Sequence, residues 1–270
     1  MPERFPTPYP EVNTILNVLL AEAQAILEEQ FIGLYLYGSL ACGGFDQHSD
    51  VDFVVVTQAE LPAARFTALQ EMHAHLSTLD SWCATQLEGS YIPRAALRCY
   101  DPVHALHVHI DRGEGELLKS MRLDSDSLRR AWWGGWVILR SNLWEYGITL
   151  AGPAPHTLID PVTPDDLRQA TLALLHGWAA KIPEDPTQMD ARGYQSYIVL
   201  TLCRILYTLQ HGISVSKPIA IDWARETLGE RWVPLIDRAW SGRQNPQSEI
   251  PSDDINETLA FIRYTVEQSQ

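Results

Sequence analysis

Residues 36–56 decide the fold and read L-Y-G-S-L-A-C-G-G-F-D-Q-H-S-D-V-D-F-V-V-V. The aromatic and β-branched run that leads into this segment predicts a strand, and Gly38 and Ser39 end it. About ten residues later, the run that opens with Asp50 and Asp52 predicts a second strand. Because side chains two apart on a strand point to the same face, Asp50 and Asp52 present two carboxylates side by side where that strand starts.

This arrangement has the chemistry of a magnesium and phosphate site. Two adjacent carboxylates repel each other unless a cation lies between them, and Mg²⁺ is commonly held by one or two carboxylates together with substrate phosphates. Gly38 lets the backbone approach a ligand closely, and Ser39 offers a hydroxyl and an amide to a phosphate oxygen. Taken singly, D-x-D is typical of a solvated strand end and Gly-Ser of a turn, but the two in this order are far more specific.

The rest of the chain divides into a mixed part and a helical part. Periodicity predicts helices at 10–29, at 62–79 and from Leu128 to Gly147, strands at 31–37, 51–57, 84–92, 103–110 and 148–151, and further helices that include 197–209 and those starting at Thr163, Ser216 and Ser252. Four prolines within 152–164 mark the domain boundary. The predicted fold class is α+β, with a mixed sheet and flanking helices in residues 1–157 and a helical bundle in residues 158–270.

Composition excludes several functional classes. The 270 residues include 20 Lys and Arg against 34 Asp and Glu, which gives a net charge of −14 and no basic run for nucleic acid or an anionic membrane. A cationic partner fits this charge. We expect no signal peptide after Met1 and no membrane span. The scattered cysteines predict thiols in a reducing compartment, and we expect a cytoplasmic monomer.

The order G-S followed by D-x-D resembles the signature of the polymerase-β-type nucleotidyltransferase superfamily. Members of that superfamily carry a third carboxylate on a later strand. Glu88, within the segment A-T-Q-L-E-G-S at 84–90, is the candidate here. The alternative for Glu88 is an exposed acid on a strand face.

The resemblance extends to the streptomycin/spectinomycin adenylyltransferases and to their relatives with the same C-terminal helical domain. Five stretches carry it: L-Y-G-S-L-A-C-G-G (36–44), S-D-V-D-F-V-V-V (49–56), G-I-T-L-A-G-P (147–153), V-L-T-L-C-R-I-L-Y (199–207) and S-K-P-I-A-I-D-W-A (216–224). They lie in both halves of the chain, and the last two are the more discriminating, because the superfamily at large does not share them.

This resemblance implies Mg²⁺-ATP between the two domains, with a role for each matching residue. Asp50 and Asp52 would hold Mg²⁺. Glu88 would join the metal and act as the catalytic base. Gly38, Ser39 and Ser49 would contact the triphosphate, and Arg204 and Lys217 would bind phosphates. The physical chemistry agrees for Arg204, because a charge within so apolar a helix needs a partner, which a polyphosphate supplies. The alternatives are a structural ion pair for Arg204 and an exposed helix-start lysine for Lys217.

The sequence departs from this family where the acceptor binds. The resistance enzymes place Trp and Asp just before their V-L-T-L-S-R helix, whereas here Tyr194 and Tyr197 stand where polar or acidic residues are expected. Asp185 and Asp190 are the candidates to replace the missing acids.

The implied function is transfer of AMP from ATP to a hydroxyl of an aminoglycoside or aminocyclitol, with release of pyrophosphate. Two alternatives stay open: the same chemistry on another small-molecule or protein acceptor, and a non-catalytic nucleotide sensor. A sensor would not need all three carboxylates.

Two further clusters favour structural roles. His104, His107 and His109 suggest a metal site, but no Cys or further His completes a zinc set nearby, so a structural role is favoured. The tryptophans at 132, 133 and 136 indicate packing rather than a ligand site.

Overall fold

The computed structural model describes residues 6–99, 107–110, 118–121, 126–186, 189 and 191–269. The mixed part contains the elements α1 (Pro10–Leu27), β1 (Phe31–Leu36), α2 (Gly38–Ala41), β2 (Val51–Thr57), α3 (Ala63–Leu76), β3 (Leu87–Pro93), α4 (Arg94–Arg98), β4 (His107–Ile110), β5 (Leu118–Met121), α5 (Asp126–Tyr146) and β6 (Ile148–Ala151). The helical part contains α6 (Pro164–Gly177), α7 (Arg192–His211), α8 (Lys217–Thr227), α9 (Val233–Gly242) and α10 (Ser252–Gln268). The predicted α+β class is confirmed.

The strands form one six-stranded mixed sheet in the order β5-β4-β3-β2-β1-β6. Strands β2 and β3 run parallel, and the other neighbouring pairs are antiparallel. A parallel pair needs a crossover connection, and helix α3 provides it between β2 and β3. This topology sets the starts of β2 and β3 at the same edge of the sheet.

Both faces of the sheet carry buried apolar residues. One face is apolar and packs on α1 and α3 in a single core that includes Leu34, Phe53, Val55 and Tyr91 from the strands. Side chains alternate along a strand, so Asp52, which precedes Phe53 of this core, lies on the opposite face. Glu88 pairs in register with Asp52 and therefore lies on that face as well. That face also carries the buried Val54, Val56 and Ile92, and Asp52 and Glu88 lie near the end where β2 and β3 start.

Helix α7 is the centre of the helical part, as predicted. Its buried residues include Ile198, Val199, Leu202 and Cys203, and it contacts α6, α8, α9 and α10. Helix α6 begins with a capping box, in which the Thr163 hydroxyl accepts from the Asp166 amide and the Asp166 carboxylate accepts from the Thr163 amide. The Thr163 prediction is therefore confirmed.

The contacts of the chain divide it differently from the predicted 1–157 and 158–270. One compact unit comprises residues 1–124 and 142–161, and the other comprises 125–141 and 162–270. The difference arises because helix α5 continues without a break through Gly134 and Gly135. The chain passes from one unit to the other within this helix, between residues 141 and 142, where the sequence has no turn signal. The prolines in 152–164 signal only the last of the three changes of unit, between residues 161 and 162. Trp136 of α5 is buried, in keeping with packing, and the other two tryptophan side chains lie outside the described set.

Several element boundaries also differ from the predictions. Strand β3 starts at Leu87 rather than at residue 84, because the amides of Ala84 and Gln86 bond to carbonyls within the turn before it. Ser216 stands at the N-cap of α8 but makes no side-chain capping bond. Of the predicted strand 103–110, residues 107–110 form β4 and the remainder lies outside the described residues. Strand β5 and helix α4 were not predicted.

The expectations about the cysteines and about membrane spans both concern residues that the structure describes. All four cysteines lie in the described part of the chain, and none of them forms a disulfide. Among the helices that the structure describes, none is long and apolar enough to cross a membrane.

Candidate active site

Three residues form a row across neighbouring strands on the face of the sheet opposite the core that contains Phe53 and Tyr91. Asp52 pairs in register with Glu88 across the parallel strands β2 and β3. On the other side of β2, the amide of Tyr37 donates to the carbonyl of Asp52 over 3.2 Å and so extends the β1–β2 register by one residue. Paired residues share a face of the sheet, so Glu88 lies on the same face as Asp52.

Electrostatics show that Asp50 belongs to the same place. The phenol of Tyr37 has a pKa raised well above its usual 10.0, first by burial and then by the negative charges of Asp52, Glu88 and Asp50. All three carboxylates therefore act on one hydroxyl group. Sequence reasoning missed Tyr37, because its place beside the carboxylates depends on the register between β1 and β2.

Gly38 fits against the carboxylate of Asp52. Its φ is +64°, and a Cβ atom at this position would lie 1.9 Å from Oδ2 of Asp52. Only glycine accepts both the backbone conformation and this close approach. The sequence predicted close approach of the backbone to a ligand; in the structure, the group that approaches is the aspartate itself.

The loop before β2 is held by a residue that the sequence analysis overlooked. The carboxylate of Asp46 accepts from the hydroxyl of Ser49 (3.0 Å) and from the amide of His48 (2.9 Å), and the Asp46 amide donates to the Ser49 hydroxyl (3.0 Å). Ser49 is buried. Its hydroxyl braces the loop that leads to Asp50, and its predicted contact with the triphosphate stays a prediction. The sequence signal for Asp46 was its D-x-x-S spacing to Ser49, which is typical of an Asx turn. Ser39, the other predicted serine, lies in the single turn of α2.

The other predicted residues belong to the helical unit. Arg204 is half-buried between the buried Cys203 and Ile205 of α7, and the half-buried Lys217 is the first residue of α8. Asp185 is exposed, and Asp190 lies outside the described residues.

Tyr194 is part of an aromatic cluster in the helical unit. Its hydroxyl accepts from the indole Nε1 of Trp178 over 3.4 Å, and its ring stacks on that of Tyr197 with 6.1 Å between centroids. The Tyr197 side chain is 48% exposed, so this cluster presents aromatic surface to solvent.

The metal-binding capacity of the site rests on its carboxylates. Within the described ranges, no three or more His, Cys, Asp or Glu side chains are arranged as a group that could hold a metal ion by themselves. The row still supplies the hard oxygen atoms that Mg²⁺ prefers, and Mg²⁺ usually takes further ligands from water and phosphate. His109 is engaged with Ser90, and the rings of His107 and His109 lie 6.4 Å apart, while His104 falls outside the described residues.

Two family models match the chain, one in each half. Residues 20–109 match the nucleotidyltransferase domain, and residues 157–268 match the C-terminal domain of aminoglycoside adenylyltransferase. The chain is 26% identical over 269 residues to the aminoglycoside (3'') (9) adenylyltransferase of Escherichia coli, with 94% of each chain covered. It is 25% identical over 260 residues to the spectinomycin 9-adenylyltransferase of Campylobacter jejuni, with 94% of this chain and 93% of the relative covered.

A solved structure shows the same fold. The crystal structure of spectinomycin adenyltransferase AAD(9) from Enterococcus faecialis, with ATP and spectinomycin, matches with a TM-score of 0.68 and 16% identity over 95% of this chain and 98% of that one. With both domain models, full-length relatives and this fold in agreement, the chain belongs to the aminoglycoside adenylyltransferase-like nucleotidyltransferases and is an enzyme of that type.

Proposed function

We propose that this enzyme transfers AMP from Mg²⁺-ATP to a hydroxyl group of an aminoglycoside or aminocyclitol and releases pyrophosphate. The observation that carries the proposal is the row of Tyr37, Asp52 and Glu88, with Asp50 beside it, on one face of the sheet. The names of the full-length relatives support the class of acceptor.

The carboxylates of Asp50, Asp52 and Glu88 offer the hard oxygen atoms that a divalent metal prefers. Asp50 and Asp52 would hold Mg²⁺ with help from Glu88, and the fit of Gly38 against Asp52 Oδ2 fixes where that carboxylate stands. When bound, the metal neutralises phosphate charge and aligns the attacking and leaving oxygens. Without a cation, three carboxylates acting on one hydroxyl repel one another, which is the physical reason to expect metal-dependent nucleotide binding.

The transfer step needs one proton acceptor. The acceptor hydroxyl loses its proton to a carboxylate oxygen of Glu88 while its oxygen bonds to the α-phosphorus of ATP, and the bond from that phosphorus to the pyrophosphate oxygen breaks. A positioned general base contributes roughly 10²–10⁴-fold to such a step. Glu88 suits this role because it stands on a strand as the register partner of Asp52.

The negative charge of the triphosphate requires donors and cations. Arg204 and Lys217 of the helical unit would supply positive charge to the phosphates and stabilise the leaving pyrophosphate. Ser39, with the adjoining Gly38, would donate to a phosphate oxygen. Ser49, already bonded to Asp46, would contact the triphosphate through the same loop.

The residues proposed to contact the acceptor favour a second candidate function, which is the same AMP transfer to a different acceptor. Asp185, Asp190 and Tyr194 would contact the acceptor, but Tyr194 and its stacked neighbour Tyr197 present aromatic surface where the resistance enzymes are expected to be acidic. An acceptor with a planar or weakly charged face, rather than a polycation, would suit this cluster. The chemistry at Glu88 would be unchanged.

A pyrophosphate-release assay tests the proposal directly. The protein would be incubated with ATP and Mg²⁺ and a panel that includes spectinomycin, streptomycin and other aminoglycosides. Release that depends on one of these acceptors, and formation of an adenylylated product by mass spectrometry, would support it. Absence of release across the panel would remove the antibiotic acceptor and leave the second candidate.

A further inference from the structure

An aromatic contact joins the start of α1 to the loop between α2 and β2. The hydroxyl of Tyr9, the residue before α1, donates to the backbone carbonyl of Phe45 over 3.3 Å. The rings of the two residues also pack against each other, with 4.8 Å between their centroids. The centroid of the Phe45 ring lies 6.2 Å from that of Trp82, in the turn before β3. Three segments of the sheet unit therefore meet at one phenylalanine.

Phe45 lies between two hydrogen-bonded turns of this loop. In the first turn, the amide of Gly44 donates to the carbonyl of Ser39 over 3.0 Å. In the second turn, the Asp46 carboxylate accepts from the hydroxyl of Ser49, and the Ser49 amide donates to the Asp46 carbonyl. Each turn contains one of the two serines that are proposed to contact the triphosphate. Phe45 is therefore the link between these two proposed phosphate contacts.

The backbone of Tyr9 is itself held in place. The side-chain oxygen of Asn13 accepts from the amide (3.1 Å) and the hydroxyl (2.8 Å) of Thr7, and Nδ2 of Asn13 donates to the Thr7 carbonyl (2.8 Å). Thr7 and Asn13 are both buried. The amide of Tyr9 donates to the Thr7 hydroxyl over 3.2 Å. Tyr9 is thus anchored to a buried network that lies outside the loop.

We propose that Tyr9 is a positioning residue for Mg²⁺-ATP, because through Phe45 it holds the loop that carries Ser49 and leads to Asp50. This role rests on the proposed function and adds to it a residue from outside the loop. Gly43 has φ +78° and open space around the position of a Cβ, so the loop backbone does little to restrain itself there. Without Tyr9, the loop would have to be ordered when the nucleotide binds, and this cost weakens the apparent affinity.

The effect of Tyr9 should be confined to the loop. The pairing of Asp52 with Glu88 is set by the register of β2 and β3, which Tyr9 does not contact. Loss of Tyr9 should therefore loosen residues 42–49 and leave β2 ordered. Amide hydrogen exchange, followed by mass spectrometry, distinguishes this result from a general loss of stability, which would raise exchange in both segments.

Two substitutions separate the two contacts of Tyr9. Tyr9→Phe keeps the ring against Phe45 and loses the bond to its carbonyl, whereas Tyr9→Ala loses both. In calorimetry, Tyr9→Ala should raise the Kd for Mg²⁺-ATP roughly five- to tenfold, the cost of ordering about one backbone residue, and Tyr9→Phe should raise it less. Exchange at residues 42–49 should increase in the same order without nucleotide and return to the wild-type level at saturating Mg²⁺-ATP.

Tyr35→Phe is the matched control. The hydroxyl of Tyr35 donates to the carbonyl of Pro153 over 2.7 Å, so this variant makes the same chemical change on the side of β1 that faces β6. Its Kd for Mg²⁺-ATP and its exchange at residues 42–49 should match the wild type. Because Tyr9 acts through Phe45, adding Tyr9→Ala to Phe45→Ala should cause no further rise in the Kd. Thermal melts establish that each variant is folded.

These measurements need no acceptor, so they are independent of the antibiotic panel. Wild type that binds Mg²⁺-ATP, together with an unchanged Kd in Tyr9→Ala, would overturn the role of Tyr9 and leave the proposed function intact. Exchange that rises equally in β2, or that stays raised at residues 42–49 with saturating nucleotide, would also overturn it. Wild type that binds no Mg²⁺-ATP would remove the proposed function together with the role of Tyr9.

Discussion

Asp52 and Glu88 are register partners on two parallel strands, and their side chains stand on the same face of the sheet. Neighbouring strands are about 4.8 Å apart, so two carboxylates in this relationship repel strongly unless a cation or a proton lies between them. Tyr37, in register with Asp52 on the other side, experiences that charge together with the charge of Asp50. The enzyme therefore concentrates negative charge at one point of the sheet, and the proposed Mg²⁺-ATP would compensate it.

Removing the paired aspartates should abolish metal-dependent nucleotide binding. The double variant Asp50→Asn, Asp52→Asn keeps the size of both side chains and removes two charges. Calorimetry with ATP in the presence and absence of Mg²⁺ should show that the metal no longer increases the affinity. Asp80→Asn, at an exposed position, is the control and should bind as the wild type does. Undiminished metal-dependent affinity in the double variant would refute the metal assignment.

Gly38→Ala should damage the site more than the fold. The backbone at Gly38 has φ +64°, and the new Cβ would lie 1.9 Å from Oδ2 of Asp52, so the carboxylate must move. We expect a loss of about 1–2 kcal/mol of stability from the left-handed backbone and, in addition, weaker Mg²⁺-ATP binding.

A second glycine provides a matched control for that experiment. Gly43 has φ +78°, but a Cβ there meets nothing within 4 Å. Gly43→Ala should therefore lose a similar amount of stability in urea unfolding while nucleotide binding stays as in the wild type. Equal binding by the two variants would mean that the contact between Gly38 and Asp52 does not matter for the nucleotide.

Arg204 and Lys217 should affect ATP rather than the acceptor. A charge-assisted hydrogen bond contributes roughly 1.5–3 kcal/mol, so Arg204→Gln should raise the KM for ATP by about tenfold or more. Lys217→Gln should act in the same direction. Arg263→Gln, an exposed position on α10, makes the same change of charge and should have no effect. Unchanged KM values for ATP in both variants would remove the helical unit from nucleotide binding.

The sequence predicted those parts of the fold that depend on local pattern. Strand β2, strand β6 and helix α1 begin and end within a few residues of their predicted positions, because their apolar periodicity and their flanking turns are both clear. The division of α5 between two units was not predicted, since it depends on tertiary contacts that leave no mark in the helix.

The same distinction applies to the site. Asp50, Asp52 and Gly38 were predicted from their spacing, whereas Tyr37 and Asp46, which the structure places next to them, were not. The importance of Tyr37 arises from register with Asp52, and that of Asp46 from hydrogen bonds to Ser49 and His48, so neither carries a signal as strong as D-x-D.

Acid should destabilise the sheet domain through His73. This histidine is buried on α3, its Nε2 lies 2.8 Å from the hydroxyl of Tyr91, and burial lowers its pKa from 6.5 to about 3. The unfolded chain therefore takes up a proton at a higher pH than the folded chain does, and stability falls as the pH drops below about 6.5 until about 3. Between pH 7 and pH 5 the loss due to His73 is about 2 kcal/mol.

Urea unfolding at pH 7 and pH 5 measures this effect. His73→Gln keeps a hydrogen-bonding group near Tyr91 but cannot titrate, so its difference in stability between the two pH values should be smaller than that of the wild type. His75→Gln changes an exposed histidine on the same helix and should keep the wild-type difference. Identical pH dependence for His73→Gln and the wild type would show that His73 does not carry the effect.

The central claim is that Glu88 is the catalytic base of an AMP-transfer reaction, and one substitution tests it most directly. Glu88→Gln keeps the shape of the side chain and removes the proton acceptor. ATP binding by calorimetry should survive, while pyrophosphate release with an acceptor that the wild type uses should fall by at least ~10², the low end of general-base contributions. Glu71→Gln, at an exposed position on α3, should turn over as the wild type does. Full turnover by Glu88→Gln with that acceptor would contradict the account.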